Sequence, residues 1–154
     1  GAAPAVAATG RLIVAARAAG VPIIYLQMGF KPDLSDAGDP DSPAWHKELA
    51  LILMRERPEL GGTLLVEGTW DWQIVDALTP RPGDTVIGIC VESTARHAFF
   101  LEYWPILIED AVNHAGPDGN RDATLWAFEN VFGWVTDSGT AVAALESVRR
   151  AAAE

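Results

Sequence analysis

The alternation of short apolar runs with helical patterns constrains the fold of this chain most. The apolar spacing predicts strands at 23–27, 63–66, 84–89, 106–109 and 133–136, and helices at 4–19, 46–57, 71–78, 91–104, 118–131 and 138–153. Continuous apolar strands separated by helices are typical of a parallel sheet that is covered on both faces. We therefore predict a three-layer α/β fold with a mostly parallel sheet, formed as one domain by residues 1–154.

Composition excludes several classes of function. The net charge of −10 argues against a nucleic-acid partner, because such proteins present a basic patch. No apolar run approaches the roughly 18 residues of a membrane span, so we expect no membrane association. The segment 1–10 lacks the basic flank and apolar centre of a signal peptide. A single cysteine cannot form an internal disulfide, which suits the cytoplasm. These features favour a cytoplasmic protein without a nucleic-acid partner.

That cysteine, Cys90, lies where an apolar run passes into a helical pattern. A thiol at a helix N-terminus faces backbone N–H groups that have no acceptor within the helix, and the helix dipole there favours the thiolate. The same N–H groups can hold the oxyanion of a tetrahedral intermediate. Two interpretations remain open: a nucleophile, or a small buried hydrophobic residue.

Several separated motifs carry a family resemblance. They are Gly38-Asp-Pro-Asp-Ser-Pro-Ala-Trp-His-Lys47, Gly68-Thr-Trp-Asp-Trp72, Cys90-Val-Glu-Ser-Thr-Ala-Arg96, Leu101-Glu-Tyr103 and Phe132-Gly-Trp-Val-Thr-Asp137. With these motifs the chain resembles the isochorismatase-like cysteine hydrolases, and among them the ureidoacrylate amidohydrolases of pyrimidine degradation. The resemblance implies cleavage of a carbamoyl C–N bond in a small ureido acid, with Cys90 as the catalytic nucleophile.

The resemblance also implies that parts of the family pattern are missing. The family uses an aspartate at the end of its first strand and a lysine from a segment between the Pro82-Gly-Asp84 turn and the cysteine. Here the chain starts inside what resembles the first helix, and Asp84 runs almost directly into Cys90. Its lysines, Lys31 and Lys47, lie in other contexts. The alternative to an enzyme is therefore an impaired, minimised or engineered scaffold with fewer strands that keeps the family fold.

The long connection 28–44 is the second informative region. A connection of this length in a compact domain is usually a lid or a binding loop, and it follows a strand end, where doubly wound sheets bind ligands. The resemblance places substrate contacts at Met28 and Phe30, where the family has Asn and Trp. Asp36 in the same loop and Trp70 beside it complete the predicted substrate-binding set.

Metal ions and cofactors are not expected. The aspartates of the loop do not follow the spacing of an EF-hand, and the Asp-x-His pair of the metal-binding nicotinamidase relatives does not occur. His97 is two helical turns, or about 10 Å, from Cys90, which is too far for a base. A Cys90–His114 dyad stays open beside an ordinary loop histidine, and His46 is expected to pad or cap its helix.

The remaining expectations concern packing and assembly. Five tryptophans, Trp70, Trp72, Trp104, Trp126 and Trp134, are expected to be packing residues more than functional ones, because aromatic side chains bury large areas, although Trp70 and Trp72 could also line the site. Strands missing from the family pattern would leave unpaired sheet edges, which invite pairing with another copy. We therefore expect a homo-oligomer.

Overall fold

The computed structural model describes residues 1–87, 90–114, 117 and 119–153. The described residues form six α-helices and four β-strands. In chain order these are α1 (Ala3–Ala18), β1 (Ile24–Leu26), α2 (Pro43–Lys47), α3 (Leu49–Glu56), β2 (Thr85–Ile87), α4 (Val91–Phe100), β3 (Ile106–Ile108), α5 (Gly119–Ala127), β4 (Trp134–Thr136) and α6 (Ser138–Ala151). None of these helices is both long and apolar enough to cross a membrane.

The chain divides into two compact units. The first comprises residues 1–26 and 76–154, and the second comprises residues 27–75. In the first unit, β1 pairs with β2 and β3 pairs with β4, and both pairs are parallel. Parallel strands joined through helices confirm the predicted α/β class. The strands are only three residues long and form two separate pairs within the described residues. The prediction of a single domain stays a prediction.

Helices α1 and α6 pack together in the first unit, and their ends follow simple rules. Gly20 ends α1 with a left-handed φ of 72°, and the Val21 amide donates to the Ala16 carbonyl at 2.9 Å. Asp137 begins α6, because its carboxylate accepts a hydrogen bond from the Thr140 amide at 2.9 Å. That bond is the main cause that lowers the pKa of Asp137.

The second unit has its own small core. Apolar side chains from α3 and from the loops on either side of it are buried together: Phe30, Ala37, Ala50, Leu51, Met54 and Val66. Phe30 and Val66 form an isolated parallel bridge. The acidic loop before α2 is ordered by local bonds, since Asp33 and Asp39 accept amide hydrogen bonds from Ser35 and Asp41, each at 3.0 Å.

Three elements predicted between residues 46 and 78 are wrong. The helix at 46–57 is divided, because Glu48 is extended and its carboxylate caps α3 at the Ala50 amide. The strand at 63–66 is interrupted by Leu65, whose φ of 55° is left-handed. The helix at 71–78 is reduced to a 3₁₀ turn at 76–78. Asp71 instead accepts a hydrogen bond from the Leu65 amide at 3.1 Å. This bond between a side chain and the backbone competes with the helix that the apolar pattern predicts at 71–78.

Two helices of the first unit are shorter than predicted. Helix α4 ends at Phe100 instead of 104, because Glu102 adopts a left-handed φ of 63°. Helix α5 ends at Ala127, and a wider π-helical turn continues through Phe128–Phe132. The expectation that Trp70, Trp104, Trp126 and Trp134 are buried by packing is wrong, since all four are exposed. Residues 88 and 89 of the strand predicted at 84–89, and residue 118 of the helix predicted at 118–131, lie outside the described residues.

Candidate functional site

Cys90 is the residue that begins α4. Its backbone is extended, with φ −87° and ψ 139°, and its carbonyl accepts the first helical hydrogen bond, from the Thr94 amide at 3.0 Å. The amides of the first turn, from Val91 to Ser93, therefore have no acceptor within the helix. The cysteine itself is exposed, which removes the interpretation of a buried hydrophobic residue. An exposed thiol beside free amides is a suitable arrangement for nucleophilic attack on a carbonyl.

A cleft of about 590 Å³ lies beside the first turn of α4. Its walls are Val91, Glu92 and Arg96 of α4, residues 111–114 after β3, and one side of α5. Leu107 and Phe128 form its apolar floor. The cleft therefore opens beyond the carboxyl end of β3, which is where α/β sheets usually bind ligands. Its volume is within the usual range for small-molecule sites.

Charged side chains in the cleft are paired with one another. Glu92 accepts hydrogen bonds from Arg96, with Nε at 2.9 Å from Oε1, and from the Thr124 hydroxyl at 3.2 Å. Arg121 donates to the Glu109 carbonyl at 3.0 Å and faces its carboxylate at 3.6 Å. Glu92 is thus an anion in the first turn of α4, two residues after Cys90, and Arg96 balances its charge. These pairs were not predicted from the sequence. For Glu92 and Arg96, the i,i+4 spacing is typical of an ion pair on a helix and could have indicated it.

A second polar cluster holds the segment after β3 in place. Asp110 accepts hydrogen bonds from the amide and the hydroxyl of Ser138, at 2.8 and 2.6 Å. Arg11 of α1 donates to the same hydroxyl at 2.8 Å. The Ser138 hydroxyl is the main cause that lowers the pKa of Asp110, against a partial desolvation that raises it. Residues 111–114, which form one wall of the cleft, are thereby anchored to α1 and α6.

The three histidines lie in different settings. His114 lines the cleft, whereas His97 is exposed in the last turn of α4. The Cys90–His114 dyad stays a prediction. His46 lies in α2, and its Nε2 is hydrogen-bonded to the Pro40 carbonyl at 2.7 Å, in line with the expected padding of that helix.

The predicted substrate-binding residues all belong to the second unit, whereas Cys90 belongs to the first. Met28 and Trp70 are exposed. Asp36 accepts a hydrogen bond from the Lys31 amide at 3.0 Å. Phe30 is part of the buried core of its unit, so its ring packs against α3 instead of lying open in a loop. The roles of the four residues in substrate binding stay predictions.

The lysines and the possible metal ligands can be located in the same way. Lys31 and Lys47 are exposed and lie in the second unit. Over the described parts of the chain, no group of three or more His, Cys, Asp or Glu residues is positioned to hold a metal ion. The expectation of a reaction without metal or cofactor stays a prediction.

The fold and the site define an α/β protein with an exposed cysteine where a helix begins beside a cleft. The family model described as the isochorismatase domain matches residues 1–88 and 87–140. The chain therefore belongs to the isochorismatase family.

Relatives of known name agree with this assignment. The chain is 41% identical to ureidoacrylate amidohydrolase RutB of Pseudomonas syringae pv. syringae, over 86% of this chain and 67% of that protein. It is 44% identical to RutB of Agrobacterium fabrum, over 79% and 67%. Against RutB of Methylobacterium radiotolerans the identity is 40%, over 96% and 68%. The chain thus spans about two thirds of the length of these relatives.

The alignments bear on the central block that the resemblance predicts to be missing. The alignment with the Methylobacterium protein is 179 residues long, although this chain has only 154 residues. The family match divides at residues 87–88, between β2 and Cys90. Both findings agree with the absence of such a block, which stays a prediction.

Solved structures support the fold alone. A cysteine hydrolase from Pseudomonas syringae pv. phaseolicola superposes with a TM-score of 0.72 at 23% identity, over 95% of this chain and 82% of that one. N-carbamoylsarcosine amidase from Thermoplasma acidophilum superposes with a TM-score of 0.59 at 24% identity, over 89% and 84%.

Proposed function

We propose that this chain acts on the carbamoyl C–N bond of a small ureido acid of the ureidoacrylate type, with Cys90 as the nucleophile. The observation that carries the proposal is the exposed thiol at the start of α4. It lies in a chain 41–44% identical to two ureidoacrylate amidohydrolases. The cleft beside the first turn of α4 has room for a substrate of this size.

The chemistry follows from the position of the thiol. The Cys90 thiolate attacks the carbamoyl carbon, and amides of the first turn of α4 bind the resulting oxyanion. The C–N bond to the substrate nitrogen then breaks, and that nitrogen takes a proton and leaves as an amine. Water attacks the remaining S-carbamoyl group, which releases carbamic acid and restores the thiol. In the resembling enzymes an aspartate moves the proton and a lysine supports the charge; the two lysines of this chain, Lys31 and Lys47, are not at the matching position.

A second candidate function is a scaffold that keeps the family fold with little or no catalysis. A central block is predicted to be missing from this chain, and the resembling enzymes take their lysine from that block. Catalytic groups that act as a unit lose several orders of magnitude in rate when one is removed, even when the nucleophile remains. We therefore expect turnover far below that of an intact relative.

One experiment separates the two candidates. Ureidoacrylate hydrolysis is measured for the purified chain, for Cys90→Ala and Cys90→Ser, and for the Agrobacterium fabrum relative as a positive control. Intact mass spectrometry of the same samples detects the S-carbamoyl adduct as a mass increase of one carbamoyl group. Turnover that Cys90→Ala abolishes supports the amidohydrolase. Absence of both turnover and adduct, with an active relative, supports the scaffold.

Two intermediate results are also informative. An adduct without turnover would mean that attack survives and that release of the acyl group has been lost. Turnover within about tenfold of the relative would mean that another residue takes the role of the family lysine. His114 is then the first residue to substitute, because it lines the cleft.

A further inference from the structure

A nearly uncharged aromatic surface covers one side of the first unit. We call it the aromatic face and define it by Phe100, Tyr103, Trp104, Ile106 and Trp134. The indole rings of Trp104 and Trp134 are stacked, with centroids 5.2 Å apart and planes at 14°. Ile106 is the partner of Trp134 in the β3–β4 register. These contacts join the segment after α4 to β3 and β4.

The Phe132 ring joins Phe100 to the rest of the face. Its centroid lies 6.1 Å from that of Phe100, and Phe132 is separated from Trp134 by a single residue. Arg96 stacks on the Phe132 ring at 4.2 Å, which fixes the ring from the side of α4. Contacts with the Phe132 ring and with Arg96 therefore restrict the side chains at this end of the aromatic face.

The aromatic face includes one side of a parallel sheet. Side chains of paired residues in a parallel register point to the same side, so Ile106 and Trp134 share one face of the β3–β4 pair. They are 59% and 48% exposed, whereas Leu107, which points to the other side, is 7% exposed. Parallel sheets are almost always covered on both faces. Among the described residues, Ile106 and Trp134 on this face are therefore left largely uncovered.

Charge distinguishes the aromatic face from the rest of the chain. Within 99–106 and 131–136, the only charged residue is Glu102, although the net charge of the chain is −10. Two copies of so acidic a chain repel each other over most of their surface. They approach at the least electrostatic cost through a face that carries almost no charge. Interface cores have the same composition, rich in aromatic residues and depleted in charge.

The area of the face suits association of two copies. Phe100, Tyr103, Trp104 and Trp134 are 70%, 68%, 78% and 48% exposed. At about 200 Å² for each aromatic side chain, they present roughly 500 Å². Leu101 and Ile106, both exposed, extend the face toward the roughly 800 Å² that each partner contributes to a standard interface. If a two-fold axis relates the two copies, the aromatic face of each copy packs against the aromatic face of the other.

We propose that the aromatic face is the interface with a second copy of this chain. The proposal is independent of the hydrolytic function, because it uses none of the groups assigned to the chemistry. It gives the expected homo-oligomer a definite contact, in which the partner covers the open side of the β3–β4 pair.

The first test is the oligomeric state of matched variants. Sedimentation velocity and light scattering are measured over a wide range of concentrations for the 16.5 kDa chain, Trp104→Glu and Trp70→Glu. Trp70 is the matched control, since it is 86% exposed and lies in the second unit. We expect a dimer for the unmodified chain and for Trp70→Glu. Trp104→Glu should raise the dimer dissociation constant by about thirtyfold or more, because the substitution occurs twice in a two-fold interface.

The second test does not depend on weakening the fold. In a Cys90→Ser background the chain has no other thiol, so Tyr103→Cys and Val148→Cys each place a single exposed cysteine. On a denaturing gel after mild oxidation, Tyr103→Cys should run as a cross-linked dimer, whereas Val148→Cys, on α6 and outside the face, should run as the single chain. A monomeric unmodified chain at all concentrations would overturn the proposal and leave the face for a different protein. Equal dimer dissociation constants for Trp104→Glu and Trp70→Glu would also overturn the proposal. Equal cross-linking of Tyr103→Cys and Val148→Cys would overturn it as well.

Discussion

Ser138→Ala should destabilise the first unit more than an ordinary serine substitution on the same helix. The Ser138 side chain is 1% exposed, and its hydroxyl both donates to Asp110 and accepts from Arg11. A hydrogen bond to a charged group contributes about 1.5–3 kcal/mol. Because the Asp110 and Arg11 side chains are 42% and 59% exposed, water replaces part of what is lost. We expect a loss of about 1–2 kcal/mol.

Urea denaturation followed by circular dichroism measures this loss, with Ser147→Ala as the control. Ser147 is exposed on the same helix, and its hydroxyl donates only to the Ala144 carbonyl. The control should change stability by no more than about 0.5 kcal/mol. A difference of 1–2 kcal/mol corresponds to a melting temperature lower by about 3–6 °C for a chain of this size. Equal losses in the two variants would refute the proposed role of the buried hydroxyl.

The same variant has a predictable pH dependence. The folded-state pKa of Asp110 is lowered from its ordinary value of 3.8, mainly by the Ser138 hydroxyl. A lowered carboxyl pKa stabilises the folded state fully above the unfolded-state pKa, and this stabilisation is lost as pH falls through the folded-state value. The difference between Ser138→Ala and the unmodified chain should therefore be largest near neutral pH and shrink below 3.8. A difference that grows on acidification would contradict the assigned protonation state.

Three further substitutions or reactions test other parts of the structure. Gly133→Ala should be strongly destabilising in a thermal melt, because a new Cβ would lie 2.2 Å from the Pro105 carbonyl oxygen; Gly119→Ala, whose Cβ would meet nothing within 4 Å, should be nearly neutral. Phe128→Ala, which empties a fully buried site, should cost about 3–5 kcal/mol in urea denaturation, and a loss below 1 kcal/mol would show that the site is not packed. Cys90 should react with iodoacetamide faster in the folded chain than in an unfolded control, and equal rates would remove the argument from the helix terminus.

The parts of the fold that follow from local sequence rules could be predicted. Helix α1 ends where Gly20 supplies a left-handed residue, and α6 begins where Asp137 supplies a cap. The position of Cys90 at the start of α4 was predicted from the change of apolar period. In each case the deciding interaction lies within one turn of the helix, so the sequence pattern contains it.

The errors occurred where a residue distant in sequence or an unusual backbone state decides the outcome. Leu65 takes a left-handed conformation, although leucine has no preference for it, and its amide bonds to Asp71 six residues later. At the candidate site, the anchor of Asp110 is Ser138, a residue far along the chain. Neither the Leu65–Asp71 pair nor the Asp110–Ser138 pair has a sequence spacing that predicts a contact. The exposure of Trp104 and Trp134 was missed for a related reason, since aromatic composition alone predicts burial.

The two parallel strand pairs differ in the length of chain that each must close. The β3–β4 pair is joined through residues 109–133, whereas the β1–β2 pair is joined through 27–84, more than twice as many. Doubling a loop adds only about 0.6 kcal/mol of closure entropy, so the final stabilities differ little. Rates of folding respond more strongly to such separation. We expect β3 and β4 to pair first during folding, and β1 and β2 to pair late.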